Sequence, residues 1–227
     1  LKWKGSLLLT SGIMKVKTFK GGFDKNYCYL IWCDDTMEGA IIDPSTEPLE
    51  VFEFIENNGI ILSKILITHT HHDHIFYLSD FTYQYPNIMI YSYNNTRKSL
   101  GDNFLGLENN DIISIGSNMI TVLYTPGHYD DSLCYWNIQN QIIFTGDTVF
   151  IGRPGRTINP YSNISELYNS IYNIILKLDE DTMIYPGHDY GNKSKISIAD
   201  NIKLSPFFSC NSEKEFINVM DNFERNR

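Results

Sequence analysis

Apolar residues in this chain gather in short runs broken by polar residues, Gly, Pro, Asn and Asp among them. That rhythm predicts many strands and few helices. Ile13–Phe19, Tyr27–Cys33 and Gly39–Asp43 read as strands, punctuated by Gly21-Gly22, Asp34-Asp35 and Asp43-Pro44. A helix is expected from Thr46 to Asn57: Leu49, Phe52 and Ile55 fall three apart, Val51 flanks them, and Asn58-Gly59 stops it. Ile65–Thr68 is an apolar strand that runs straight into a histidine cluster, Ile75–Tyr85 reads as a helix ended by Pro86, and Ile88–Tyr91 as a strand.

The second half has the same style. Strands are expected at Asp111–Ile115, Met119–Tyr124, Ser132–Trp136, Gln141–Thr145 and Asp181–Tyr185. A helix at Ile164–Leu178 carries Leu167, Ile171, Ile174, Ile175 and Leu178 on one face, and the tail from Ser194 reads as mostly helical. No Gly-, Pro- or Ser-rich linker separates the halves. Strands then helix, twice over, predict two packed sheets with helices outside, in one domain spanning 13–227 after an N-terminal extension at 1–12.

Composition narrows the function. Of 227 residues, 42% are hydrophobic and 20% charged, which is ordinary for a globular chain. Eighteen Lys and Arg against 27 Asp and Glu give a net charge of −9, so broad contact with a nucleic-acid backbone is not expected. No apolar run is long enough to cross a bilayer, and Leu7–Leu9 is too short for a secretory core, so a cytoplasmic protein is expected. The chain begins at Leu1 and Met14 would make a natural start, which leaves organelle import open. Cys28, Cys33, Cys134 and Cys210 form no C-x-x-C pair and read as reduced thiols. Cys28 and Cys33, five apart in one strand, point to opposite faces and should not bridge.

The histidines carry the chemistry. Four of the six lie between positions 69 and 74, in Thr68-His69-Thr70-His71-His72-Asp73-His74. So many imidazoles repel one another when protonated and are costly to bury when neutral. A bound cation resolves both, because neutral imidazole is a good ligand for zinc, iron and similar metals. An extended chain leaving the strand puts His69 and His71 on one side; after a turn, Asp73 and His74 can present a second pair, with His72 out of phase. The other two histidines occupy matching turns, Thr125-Pro126-Gly127-His128 and Tyr185-Pro186-Gly187-His188, each after an apolar strand. Between them Gly146-Asp147-Thr148 sets an acid past another strand. Loops at these strand ends can converge on one edge, giving three ligands for one ion, three for another and a bridging carboxylate.

The ordered set H-x-H-x-D-H, P-G-H, G-D, P-G-H resembles the metallo-β-lactamase superfamily, over Ile13 to at least Pro206. The resemblance implies an α/β fold, a four-layer αββα sandwich with its metal site at one edge. By motif position, His69, His71 and His128 would hold a first divalent ion, and Asp73, His74 and His188 a second, with Asp147 bridging. Zinc is the first expectation, with iron or manganese as alternatives. Asp73 and Asp147 would be the catalytic carboxylates, one orienting the shared water and one holding both ions.

Further segments are similar to the glyoxalase II group and to persulfide dioxygenases: Asn26–Ile31 followed by Ile41-Ile42-Asp43-Pro44, then Gly146–Phe150 with Gly155-Arg156-Thr157, then Tyr185–Gly191 with Asn201 and Ser205-Pro206. Arg156 and Tyr190 match positions that approach the glutathione part of the glyoxalase II substrate. The 39 residues after His188 leave no room for the larger helical domain of long glyoxalase II enzymes. Ile75-Phe76-Tyr77 stands where the family has a small, glycine-containing segment, and Ile158 replaces the acid after G-R-T; both should reshape the pocket. The resemblance therefore implies a hydrolase of small-molecule thioesters, glutathione-based among them, with no nucleic-acid or membrane partner and a homodimer left open. A persulfide dioxygenase using one iron on His69, His128 and Asp147 is the alternative, and a lactonase or other ester hydrolase a further one. Complete ligation argues against a non-enzymatic metal-binding scaffold.

Overall fold

The computed structural model describes residues 12–226. A first sheet contains β1 (Met14–Gly21), β2 (Asn26–Cys33), β3 (Glu38–Ile42), β4 (Ile61–Leu66), β5 (Met89–Tyr93) and β6 (Phe104–Leu107), side by side in chain order. The second contains β7 (Ile112–Ile115), β8 (Asn118–Tyr124), β9 (Leu133–Asn137), β10 (Ile142–Gly146), β11 (Met183–Pro186) and β12 (Ile196–Ser197), again in chain order. Hairpins link β1 to β3, whereas β3 to β6 run parallel and need crossovers: α1 (Pro48–Asn57) lies between β3 and β4, α2 (Leu78–Gln84) between β4 and β5, and a non-helical stretch joins β5 to β6. In the second sheet only β10 and β11 are parallel, and the crossover between them starts with α3 (Ile164–Asn169).

Alternation along the strands builds three cores. Tyr27, Tyr29 and Ile31 face Val122, Tyr135 and Phe144 between the sheets. Their neighbours Cys28 and Leu30 turn outward onto Val51, Ile55 and Phe81. Ile143 and Ile184 turn outward on the other side, onto Leu167, Ile171, Phe216 and Met220. Besides α3, that outer face is covered by α4 (Ile198–Leu204) and α5 (Glu213–Arg225), so the helical tail and the αββα layering are as expected. All four cysteines are buried and free. Cys33 meets Ser117 of the opposite sheet while Cys28 lies in the outer core, the two faces that their spacing requires. Among the described residues no helix is long and apolar enough to cross a membrane.

Several boundaries differ from the sequence reading, each for a local reason. Strand β4 starts at Ile61 and stops at Leu66, because the Asp43 carboxylate takes the Thr68 N–H at 2.7 Å and its hydroxyl at 2.6 Å. Residues 75–77 are not helical; the Tyr77 N–H is drawn to the Pro44 carbonyl, and α2 begins only at Leu78. In α1 the buried stripe is Val51 and Ile55, with Leu49 68% exposed, since Leu49 lies two positions, about 200° of helical rotation, from Val51. The long helix expected at 164–178 is helical from Ile164 to Lys177, but its winding changes after Asn169, to a wide turn at Ser170–Ile174 and a tight one at Ile175–Lys177. The Ser170 hydroxyl in the wide turn donates to the Pro126 carbonyl, just ahead of His128. Strands β6 and β12 are additions that the apolar pattern was too short to mark.

Candidate metal centre

The C-terminal ends of β4, β8, β10 and β11 come out at one edge of the sandwich, and each carries a piece of the site. At the β4 end, Asp43 pins Thr68 as described, and the buried Asp131 carboxylate accepts the Thr70 N–H at 3.1 Å. With both threonines tied back, His69 and His71 project together. The chain then turns, His74 N–H to His71 carbonyl, and brings Asp73 and His74 round. Both Pro-Gly-His turns need their glycine. A Cβ at Gly127 (φ +135°) would run into the Leu167 backbone, and one at Gly187 would strike Asp147 Oδ1.

These loops gather seven donors. His69 Nε2 lies 3.0 Å and His128 Nε2 3.1 Å from His71 Nδ1. His74 Nε2 and His188 Nε2 are 3.2 Å apart, with Asp73 Oδ2 at 3.6 and 3.4 Å from them. Asp147 stands between the groups: its Oδ1 is 3.2 Å from His74 Nε2, and its Oδ2 3.4 Å from His128 Nε2 and 3.3 Å from His188 Nε2. The geometry thus resolves into one group of His69, His71, His128 and Asp147 and a second of Asp73, His74 and His188.

The atoms behind the rings orient them. His74 Nδ1 meets Asp43 Oδ2 at 2.8 Å, His128 Nδ1 the Arg156 carbonyl at 2.8 Å, and His188 Nδ1 the Asp24 carbonyl at 2.8 Å. His69 Nδ1 meets the Thr68 hydroxyl at 3.1 Å. An acceptor behind each ring holds the proton on Nδ1 and turns the Nε2 lone pair inward, the arrangement of metal-binding imidazoles. His71 is reversed, with Nδ1 inward and Nε2 3.4 Å from the Asn159 amide.

Electrostatics divides the two groups. Burial, then the neighbouring imidazoles, lowers His69 well below the usual histidine value and brings His71 to about 4; burial also lowers His128. Burial opposes protonation of His74 too, but Asp147 and Asp43 overcome it and raise His74; Asp147 does the same for His188. Asp147 itself is held well below the carboxylate range against its burial, by His188 and His74. Buried carboxylates here demand positive charge. Protons supply it in the protein alone; divalent cations fit better, because they also remove the repulsion among facing imidazoles. The cluster is able to bind metal ions.

His72 lies outside both groups, its exposed ring against Phe23 and Phe76. Arg156 and Tyr190 line a cavity of about 110 Å³ that also touches His128 and Asp147. The Arg156 guanidinium is paired to Glu224 of α5 at 2.7 Å. Tyr190 stacks on the His188 ring at 4.7 Å and donates to the Asp24 carboxylate. Sequence reasoning missed the supporting residues: Asp43, Asn26, whose amide donates to Asp73 Oδ2 at 2.8 Å, and Asn159. A signal existed for Asp43, an acid between a buried strand and a proline, and for Asn26, which opens a segment of the family resemblance.

Comparison with known proteins agrees with this geometry. The model of the metallo-beta-lactamase superfamily matches residues 21–188. A protein named hydroxyacylglutathione hydrolase from Francisella tularensis subsp. novicida (strain U112) is 30% identical over 233 residues, covering 89% of this chain and 90% of its own length. A protein named probable polyketide biosynthesis zinc-dependent hydrolase PksB from Bacillus subtilis (strain 168) is 28% identical, with 92% of each chain covered. Among solved structures, ETHE1 from Myxococcus xanthus superposes with a TM-score of 0.83 at 28% identity, covering 92% of this chain and 91% of that one.

Proposed function

This chain belongs to the metallo-beta-lactamase superfamily, and we propose that it is a metal-dependent thioester hydrolase of the hydroxyacylglutathione hydrolase type. The observation that carries the reading is the pair of donor groups meeting at Asp147. Such a pair suits two divalent cations, zinc first, with iron or manganese as alternatives; the names of the Francisella and Bacillus relatives support the substrate class and the metal respectively.

Bound there, the cations would supply a hydroxide near neutral pH and polarise a carbonyl. The chain's own residues do the rest. Asp147, placed between the groups, keeps them in register. Asp73, steered by Asn26, orients the attacking water. A thiolate leaves readily, so no side-chain acid has to protonate it, and none is needed as nucleophile. Arg156 and Tyr190, at the cavity beside His128, are assigned to the thiol carrier. Free thiols at all four cysteines support a reducing, cytoplasmic setting.

A second reading is favoured by one subset of the geometry: His69, His128 and Asp147 form the two-histidine, one-carboxylate set of a mononuclear iron oxygenase, which would make the protein a persulfide dioxygenase. Metal analysis paired with two assays tests both. Two ions per chain with thiol release from S-D-lactoylglutathione is the expected result. A single iron with oxygen uptake on glutathione persulfide would replace the hydrolase by the dioxygenase.

A further inference from the structure

Beside the second donor group, rings stand in solvent. Phe23 is 64% and Phe76 38% exposed, and they pack edge to face at 4.4 Å. His72 closes the cluster, 5.0 Å from Phe76 and 6.0 Å from Phe23. Lone exposed apolar side chains are ordinary; rings from two separate loops gathered on a rim mark a binding surface. The two loops are those that hold the second donor group. Phe23 precedes Asp24, whose carbonyl fixes His188, and His72 and Phe76 flank Asp73 and His74. Phe23 contacts the other rings while its neighbour Asp24 contacts Tyr190, so the turn at 22–25 borders both this patch and the cavity of Arg156 and Tyr190.

The centre is therefore bordered by an exposed aromatic rim as well as by the polar cavity of Arg156 and Tyr190. We propose that Phe23, His72 and Phe76 form the acyl-group subsite, selecting thioesters whose acyl chain carries an aryl or similarly large apolar group. The proposal rests on the thioesterase reading and names its substrate class. Other occupants fit less well. Three part-covered rings, at roughly 150–250 Å² each, fall short of the ~800 Å² per partner of a stable protein interface. Flanking Asp24 and Asp73, with a net charge of −9, disfavour an anionic lipid surface.

Two substrates that differ only by methyl against phenyl, S-lactoylglutathione and S-mandeloylglutathione, make the test. The native enzyme should prefer the phenyl substrate in kcat/KM by ~10-fold or more, the range that apolar pockets achieve. Phe23→Ala/Phe76→Ala should bring that ratio close to one, and Phe76→Leu should lie between. Both side chains are exposed, and a thermal unfolding curve checks that each variant folds. Hydrolysis of both substrates at equal kcat/KM, or a ratio unmoved by the double variant, overturns the subsite and leaves the thioesterase intact. Hydrolysis of neither overturns both. Retention of the native protein, but not the double variant, on phosphatidylcholine vesicles or in a dimer would reassign the patch and overturn the proposal.

Discussion

The two donor groups are assembled from the same parts and behave in opposite ways. Each takes two residues from the loop after β4 and one histidine from a Pro-Gly-His turn. In the first group, neutral acceptors stand behind the rings, the Thr68 hydroxyl behind His69 and the Arg156 carbonyl behind His128. In the second, Asp73 is itself a donor and Asp43 stands behind His74. The first group therefore sheds its protons and the second keeps them. Identical backbone devices thus make sites of different charge: Asp147, joined by Asp43 behind His74, overcomes burial in the second group, while burial and the neighbouring imidazoles prevail in the first.

The largest effect should follow from removing what the groups share. Asp147→Ala is expected to lose both metals and turnover, with metal affinity down by ~10²-fold or more, read by metal analysis after dialysis. Next come the variants that separate the groups. His128→Ala should leave one ion held by Asp73, His74 and His188, and His188→Ala one ion held by His69, His71 and His128; equal loss from both sites in each variant would show that the groups are not independent. Asp43→Asn should weaken metal binding by about 10–100-fold, as loss of an orienting partner does, and more at the second group than at the first.

A smaller, pH-dependent difference belongs to the metal-stripped protein. His71 titrates at about 4 against an ordinary 6.5, so its contribution to stability is full above 6.5 and is lost as the pH falls towards 4. His74 and His188, raised instead, contribute fully below 6.5 and lose that contribution as the pH rises through their folded values. His71→Gln should accordingly flatten the acid side of the urea-midpoint profile, and His188→Gln the alkaline side. Least of all, His72→Ala should leave the metal content unchanged.

Much of this centre was readable before any coordinates, because its donors sit in short strings whose order is informative: H-x-H-x-D-H, two P-G-H turns and a G-D. The sheets were readable too, since β2, β9 and β10 are rich in consecutive apolar residues. What escaped were features set by partners distant in sequence. Asp43 is 25 residues from Thr68 and 31 from His74, and only the fold shows that it ends β4 and aims His74. The change of winding after Asn169 coincides with a bond from Ser170 to Pro126, 44 residues away. Leu49 fitted a helical face by spacing, yet the face that turned inward was that of Val51 and Ile55.

Anomalous diffraction at the zinc edge, from crystals of the zinc-loaded protein, tests the central claim most directly. Two peaks about 3.5–4 Å apart, one among His69, His71 and His128, the other among Asp73, His74 and His188, and both touching Asp147, are predicted. A single peak, or two that do not share Asp147, would contradict the account.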